Sequence, residues 1–263
     1  MNNWRLIFDT DHTGPENMAL DYALLKSVAE KQSPPVLRFY GWANPAITIG
    51  YFQSIDEETN RNECRSRGVE IIRRITGGGA VFHADEITYS IVIPSGAPGI
   101  PENINDSYPV LLAPIVDALR DHSVNAVHVP INDILVDGKK ISGSAQVRRD
   151  GVLLQHGTII LDMDIPAAFR CLTVPESKNR SHGITDPEER ITTLRKIIGA
   201  EALTSRFRKS LREEIAARFA VKFSISLSED SFSENEHVLA ETVRQSMFSN
   251  AGWNESRKAE IDF

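Results

Sequence analysis

Residues 73–83 read RRITGGGAVFH, and this stretch is the most informative part of the chain. Two arginines precede three consecutive glycines, and an apolar run follows at residues 80–82. Glycine has no Cβ, so its backbone reaches positive φ and lies against a ligand without steric cost. Exposed N–H groups beside a guanidinium bind phosphate or carboxylate groups. A glycine hairpin with solvated arginines explains the same residues, so this loop alone leaves both interpretations open.

Residues 132–146 read NDILVDGKKISGSAQ and form the second informative stretch. Alternation along a strand predicts that three polar side chains share one face: Lys140, Ser142 and Ser144. Gly143 lets a ligand lie across that strand. An ammonium group suits a carboxylate that becomes an acyl phosphate, because charge accumulates there in the transition state. Asp133 has three interpretations: it orients the lysine, shares a Mg²⁺ ion with a nucleotide phosphate, or is a turn residue.

Composition bounds the class of protein. The chain has 263 residues, 41% of them apolar, which is enough for one large domain. A net charge of −7 argues against a nucleic-acid partner. Cys64 and Cys171 belong to no metal-binding or disulfide pattern. The N-terminus shows no secretory signal and no run has membrane-spanning length, so we expect a cytoplasmic protein that spans no membrane.

Strands and helices are mixed without regular βαβ alternation. This pattern predicts an α+β fold with a mixed, largely antiparallel sheet flanked by helices. We expect a helix over residues 15–31, a helix over 56–67 and a long strand over 152–162. Charged helices dominate after residue 199, with a strand over 221–227. We therefore predict a main domain at 1–199 and a helical C-terminal subregion at 200–263, packed on the same domain.

Several stretches, in this order along the whole chain, resemble the lipoate–protein ligase A family within the biotin/lipoate ligase superfamily. The three longest are RRITGGGAVFH at 73–83, NDILVDGKKISGSAQ at 132–146 and LQHGTIIL at 154–161. Four shorter ones are ENMALD at 16–21, FYGW at 39–42, IGYFQ at 49–53 and WN at 253–254. Three ordered motifs are far more specific than any one of them.

The resemblance implies a biotin/lipoate ligase-like catalytic domain with a tunnel for an acyl chain. It implies that ATP and Mg²⁺ activate lipoate to an acyl-adenylate, lipoyl-AMP. The lipoyl group then passes to a lysine of a lipoyl domain, in the E2 subunits of 2-oxoacid dehydrogenases or the glycine cleavage H protein. Many family members carry a C-terminal accessory domain. Because this chain ends soon after Trp253, either a separate polypeptide supplies that function or the enzyme works without it.

The resemblance also implies roles for individual residues. Lys140 would be the catalytic lysine, which contacts the carboxylate and the α-phosphate. The loop that closes over the acyl-adenylate would consist of Arg74, Thr76, Gly77, Gly78 and Gly79. The lipoyl pocket would be lined by Trp42, Val81 and His83. The nucleotide and Mg²⁺ side would be formed by Asn132 and Asp133. The residues beneath and beside the ligand would be Gly143, Ser144, Ala145, His156 and Gly157.

The ATP-dependent ligase is the predicted function, and three alternatives stay open. Octanoyltransferases of the same superfamily use a cysteine nucleophile, expected a few residues before Asn132, where residues 123–130 contain no thiol. A non-catalytic lipoyl-binding paralogue would have little need for the phosphate-side groups. A biotin ligase would have a different glycine and arginine loop. The arginine pair Arg148 and Arg149 has two interpretations that stay open: it lies near the site and attracts an acidic lipoyl domain, or it belongs to an ordinary solvated turn.

Overall fold

The structure is a computed structural model that describes residues 3–173 and 189–259. The strands are β1 (Asn3–His12), β2 (Val36–Trp42), β3 (Ala46–Ile49), β4 (Glu70–Arg73), β5 (Val81–His83), β6 (Asp85–Pro94), β7 (Ala126–Val129), β8 (Asp133–Val136), β9 (Lys139–Arg149), β10 (Val152–Asp162) and β11 (Ser226–Glu229). The helices are α1 (Gly14–Ala29), α2 (Ile55–Glu58), α3 (Arg61–Ser66), α4 (Ile104–Asp121), α5 (Ile165–Cys171), α6 (Leu194–Ile198), α7 (Ser205–Phe223), α8 (Glu234–Val243) and α9 (Ala251–Ser256). A 3₁₀ turn (Gly199–Leu203) and a π-helical turn (Arg244–Phe248) complete these elements.

Two sheets organise the fold. The large sheet has the strand order β11-β1-β2-β6-β10-β9-β8-β7, and the small sheet has the order β4-β3-β5. Neighbours from β2 to β7 in the large sheet are antiparallel, while β1 pairs in parallel with both β2 and β11. The predicted α+β class with a mixed, largely antiparallel sheet is therefore confirmed.

Both faces of the large sheet are covered. Successive side chains of a strand point to opposite faces. Phe39 accordingly packs in the cluster that contains Leu111 of α4 and Leu211 of α7. Its neighbour Tyr40 packs in the opposite cluster, with Leu24 of α1. This second face, between the sheet and α1, continues into the cavity described below.

Local capping signals explain where the helices begin. The backbone N–H of Thr13 donates to the carboxylate of Glu16 at 2.9 Å, as in a capping box, and Pro15 occupies the first turn of α1. The helix predicted over 56–67 is wrong in one respect, because it is two short helices. Asn60 separates α2 from α3 because it is the N-cap of α3: its side chain accepts a hydrogen bond from the N–H of Glu63 at 3.1 Å.

The C-terminal region contributes to the large sheet through β11. The strand predicted over 221–227 begins later, because α7 continues to Phe223 and ends where Ser224 adopts a left-handed φ of 51°. The division of the chain at residue 199 stays a prediction. In the described residues, no helix combines the length and the apolarity that a transmembrane span requires.

Candidate active site

Lys140 and Asp133 form the charged centre of the site. They lie on the neighbouring strands β9 and β8, where Asp133 pairs with Gly143. The Lys140 Nζ atom lies 2.7 Å from Asp133 Oδ1, and both side chains are about one-third exposed, at 37% and 34%. A Cβ atom on Gly143 would lie 2.6 Å from that Nζ atom. The glycine therefore leaves the space in which the ammonium group meets its carboxylate.

A β-bulge corrects the predicted alternation along β9. Ile134 pairs with Ser142, but the next residue of β8, Leu135, pairs with Lys140. Ile141 is thus the extra residue of the bulge, and it breaks the two-residue period between Lys140 and Ser142. Ser142 is fully buried and its hydroxyl has no hydrogen-bond partner among the described residues. The prediction that Ser142 shares the face of Lys140 is wrong.

Arg74 supports the glycine loop from inside the protein. Its five N–H donors serve five acceptors: the carbonyl oxygens of Thr48, Gly77 and Gly79 at 2.8 Å each, and the hydroxyls of Thr76 at 2.9 Å and Thr48 at 3.3 Å. Arg74 is 3% exposed, and burial lowers its pKa to about 10. The guanidinium is saturated by protein groups. This geometry supports the loop and leaves no N–H for the predicted anion contact.

Gly50 and Gly78 fix the path of the same loop. A Cβ atom on Gly50 would lie 2.1 Å from the carbonyl oxygen of Gly78, which is closer than any real contact. Gly78 itself has a φ of +97°, a conformation that L side chains rarely adopt. Glycine is therefore required at residue 50 because the carbonyl group of Gly78 approaches it closely, and at residue 78 because of the backbone conformation.

Two histidines are linked to Arg74 through the threonines. Because the guanidinium donates to both hydroxyls, each hydroxyl can donate in turn: Thr48 to His83 Nε2 and Thr76 to His156 Nε2, both at 2.8 Å. This pattern places the ring proton of each histidine on Nδ1.

The Nδ1 atoms contact buried carboxylates. His83 Nδ1 donates to Glu86 Oε1 at 2.8 Å, and His156 Nδ1 donates to Asp21 Oδ2 at 3.1 Å. Burial lowers the pKa of His156 below its usual value. Burial alone would raise the pKa of Asp21, but the hydrogen bond from His156 and the charge of Arg38 outweigh it and lower that pKa. Both ring nitrogens of each histidine are in use, and the lowered pKa of His156 favours its neutral form.

Two cavities meet at Lys140. The first, the tryptophan cavity, has a volume of about 120 Å³ and is bounded by Tyr40, Trp42, Arg74 and His156 among others. In its wall the rings of Trp42 and His83 stack with centroids 3.8 Å apart. The second, the phenylalanine cavity, has about 220 Å³ and carries Phe82 and Phe169 in its walls. Six residues border both cavities: Gly79, Ala80, Val81, Lys140, Gly143 and Thr158.

The predicted site residues converge on these cavities. Those that line the tryptophan cavity are Trp42, Arg74, Gly78, Gly79, Val81, His83, Asn132, Lys140, Gly143, Ser144, Ala145, His156 and Gly157. Thr76, Gly77 and Asp133 support that lining through Arg74, His156 and Lys140. Sequence reasoning missed Thr48 and Glu86. Their polar character within apolar strands is the signal that could have found them.

The predicted role of Asp133 in a Mg²⁺ site stays a prediction. A protein-bound Mg²⁺ ion usually takes one or two carboxylates together with phosphate oxygens. The Oδ1 atom of Asp133 already binds Lys140, while Asn132 directs its Nδ2 group at the carbonyl oxygen of Ser144. Across residues 3–173 and 189–259, no cluster of three or more His, Cys, Asp or Glu side chains could hold a metal ion. The geometry favours the role of Asp133 in orienting the lysine.

Arg148, one of the two arginines expected to attract a lipoyl domain, does not lie beside Lys140. Arg148 lies eight residues from Lys140 on β9, about 26 Å away at about 3.3 Å per residue. Its guanidinium donates to the carbonyl oxygen of Pro101 at 2.8 Å. Arg73 is 1% exposed and donates to main-chain carbonyls such as those of Tyr51 and Asn254. The length of β9 separates Arg148 from the reaction centre, and burial withdraws the charge of Arg73 from the surface.

Comparison with known proteins identifies the class of protein. Residues 13–216 match the family model described as the lipoyl protein ligase A/B catalytic domain. The chain belongs to this family.

The more particular similarity is to octanoyltransferases. The chain is 34% identical to the octanoyltransferase LipM of Symbiobacterium thermophilum, over 96% of this chain and 98% of that protein. It is 30% identical to the octanoyltransferase LipM of Bacillus subtilis, over 97% and 98%. Among solved structures, it is similar to a bipartite lipoate protein ligase of Thermoplasma acidophilum, at 25% identity, full coverage of both chains and a TM-score of 0.83. A lipoate-protein ligase A bound with ATP has 25% identity, coverage of 97% and 100% and a TM-score of 0.81.

These relatives correct the predicted function. The sequence predicted an ATP-dependent ligase because no thiol precedes Asn132. The curated relatives, which align over nearly the whole chain, are octanoyltransferases. The prediction of a ligase is therefore wrong, and the transferase alternative is the better supported one. The comparisons establish that the protein is an enzyme of the lipoate and octanoyl transfer family.

Proposed function

We propose that this protein transfers an octanoyl group from an acyl carrier to a lysine of a lipoyl domain. The observation that carries the proposal is the near full-length similarity to octanoyltransferases, at 30–34% identity for the two relatives named above. The acceptor would be a lipoyl domain of an E2 subunit or the H protein. The bipartite ligase of similar structure was studied with its own E2 lipoyl domain. The two free cysteines suit the reducing cytoplasm as its place of action.

The site supports acyl transfer in three ways. The tryptophan cavity offers apolar and aromatic walls for a medium-length acyl chain. Lys140 stands where that cavity meets its neighbour, so its ammonium group can stabilise the negative charge that develops on the thioester oxygen. Asp133 fixes the position of the ammonium group before the substrate arrives. No nucleotide or metal ion is needed for this chemistry, because a thioester is already activated.

The test is a comparison of two acyl sources. Purified protein should octanoylate a lipoyl domain from octanoyl-carrier protein without nucleotide, as measured by the mass of the domain. Octanoate or lipoate with ATP and Mg²⁺ should give no product and no pyrophosphate. Lys140→Met serves as the inactive control, and Lys139→Met as its matched active control. Product from the free acid with ATP, and none from the carrier, would refute the transferase assignment.

A further inference from the structure

We infer that Trp253 and Asn254, which form one of the short motifs of the sequence, position the glycine loop for acyl transfer and act through Arg73. The effect on transfer rests on the proposed function. Both residues belong to the short helix α9. In the part of the chain that the structure describes, neither of them lines the tryptophan or the phenylalanine cavity. Any contribution to the reaction must therefore pass through the residues that they contact.

Two side chains of α9 bind both backbone groups of Arg73. The indole Nε1–H of Trp253 donates to the carbonyl oxygen of Arg73 at 2.8 Å, and the backbone N–H of Arg73 donates to Asn254 Oδ1 at 2.8 Å. Arg73 is the last residue of β4, which pairs with β3 on its other side. Because unpaired backbone groups at a sheet edge are costly to bury, these two hydrogen bonds fix the end of β4 against α9.

The guanidinium of Arg73 extends the link to residues 50–53. Its Nη2 group donates to the carbonyl oxygen of Asn254 at 2.8 Å, on the side of α9. Its Nη1 group donates to the carbonyl oxygens of Tyr51 at 2.9 Å and Gln53 at 2.6 Å. The N–H donors of a guanidinium have fixed directions in one plane. Arg73 therefore holds residues 50–53 at a fixed position relative to α9.

Residues 50–53 contact the glycine loop directly. The backbone N–H of Tyr51 donates to the carbonyl oxygen of Thr76 at 2.9 Å. A Cβ atom on Gly50 would lie 2.1 Å from the carbonyl oxygen of Gly78, so the two backbones lie against each other. Gly78 also lines the tryptophan cavity, which holds the acyl chain under the proposed function. A shift of residues 50–53 would therefore move one wall of the acyl site.

The glycine loop thus has two supports. Arg74 binds the carbonyl oxygens of Gly77 and Gly79, and none of its described hydrogen bonds involves α9. Arg73 provides the second support, through residues 50–53. Because the first support remains when the second is lost, variants in α9 should displace the loop locally and leave the rest of the fold unchanged.

The first experiment compares hydrogen–deuterium exchange, by mass spectrometry, in the natural protein and in Trp253→Phe. This variant keeps an aromatic ring and removes the N–H that binds Arg73. Peptides that contain the amides of Tyr51 and Arg74 should exchange about ten-fold faster, whereas those of β6 and β10 should change by less than about two-fold, because the opening is local. The matched control is Trp4→Phe, the same change at a buried tryptophan of the cluster on the other face of the large sheet. It should leave the exchange of the Tyr51 and Arg74 peptides unchanged.

The second experiment measures transfer from octanoyl-carrier protein to a lipoyl domain by two variants of Asn254. Asn254→Leu removes the acceptor of the Arg73 N–H, and Asn254→Asp keeps it. Asn254→Leu should raise KM for the donor by about ten-fold and leave kcat within about three-fold, because the loop lines the acyl cavity while Lys140 keeps its contact with Asp133. Asn254→Asp should leave both constants within about three-fold of the natural values. A loss of folded protein lowers kcat but not KM, so a merely structural role would not give this result.

Faster exchange in β6 and β10 as well, or an equal effect of Trp4→Phe on the peptides of Tyr51 and Arg74, would overturn the inference. An unchanged KM in Asn254→Leu, or a lower kcat alone, would overturn it too. If Trp253→Phe does not fold, the two variants of Asn254 decide, since that residue is only half-buried. If the natural protein transfers nothing from the carrier, the proposed function fails, while hydrogen exchange still decides whether α9 positions the loop.

Discussion

The side chain of Lys140 occupies the space where a Cβ atom of Gly143 would stand, three residues further along β9. That Cβ atom would lie 2.6 Å from Nζ and 2.7 Å from Cε of the lysine. The lysine side chain is flexible, so a methyl group at residue 143 would move the ammonium group without disturbing the backbone. The position of the charge therefore depends on the absence of a side chain at Gly143.

Replacement of Lys140 by methionine should lower octanoyl transfer by on the order of 10²–10³, because one preorganised charge is lost from the transition state. The stem is retained, so the midpoint of thermal unfolding should change little. Initial rates with saturating donor measure the effect. The control is Lys139→Met, the same substitution at the neighbouring residue. If Lys139→Met lowered the transfer rate as much, the effect would not be specific to Lys140.

Gly143→Ala should lower the transfer rate by about ten-fold or more through displacement of the ammonium group from Asp133. A double-mutant cycle with Lys140→Met isolates this cause, since coupled residues show non-additive effects. In the Lys140→Met background, the added Gly143→Ala change should cost almost nothing. Full additivity of the two losses would mean that Gly143 acts independently of the lysine.

Arg74→Met should destabilise the fold by about 2–4 kcal/mol, because buried carbonyls and hydroxyls lose their donor. Urea unfolding measures the change. The matched control is Arg170→Met, whose side chain is 51% exposed and should change the unfolding free energy by less than about 0.5 kcal/mol. If Arg74→Met lowered the transfer rate without changing the free energy of unfolding, Arg74 would instead be a ligand-contacting residue.

The pH dependence of stability should report on His156. Its pKa is lowered by burial, so the unfolded chain binds a proton more readily than the folded protein. The contribution of this histidine to stability is complete above its usual pKa of 6.5 and is lost as pH falls through the lower folded value. Thermal unfolding between pH 8 and pH 5 measures this loss. His156→Gln should show a smaller decline below pH 6.5, and an identical decline would assign it to other groups.

The sequence by itself determined the class of fold and the local signals of the site. Thr13, Pro15 and Glu16 specify the start of α1, since a capping box needs residues that are adjacent in sequence. The order of the three motifs indicated the family and located Lys140, Gly143 and the glycine loop. Such features are readable because each depends on residues within a few positions of one another.

Only the tertiary structure decided what those residues do. The bulge at Ile141 is set by the register of the partner strand β8, so the alternation of β9 could not reveal it. Arg74 finds acceptors on β3, 26 residues away, and His156 meets Asp21 at a separation of 135 residues. Likewise, the burial of Cys64 against Cys171 joins α3 to α5 across the fold. Contacts of this kind arise from packing between helices and strands that are distant in sequence. The pattern of residues along the chain does not show which of these elements will pack together.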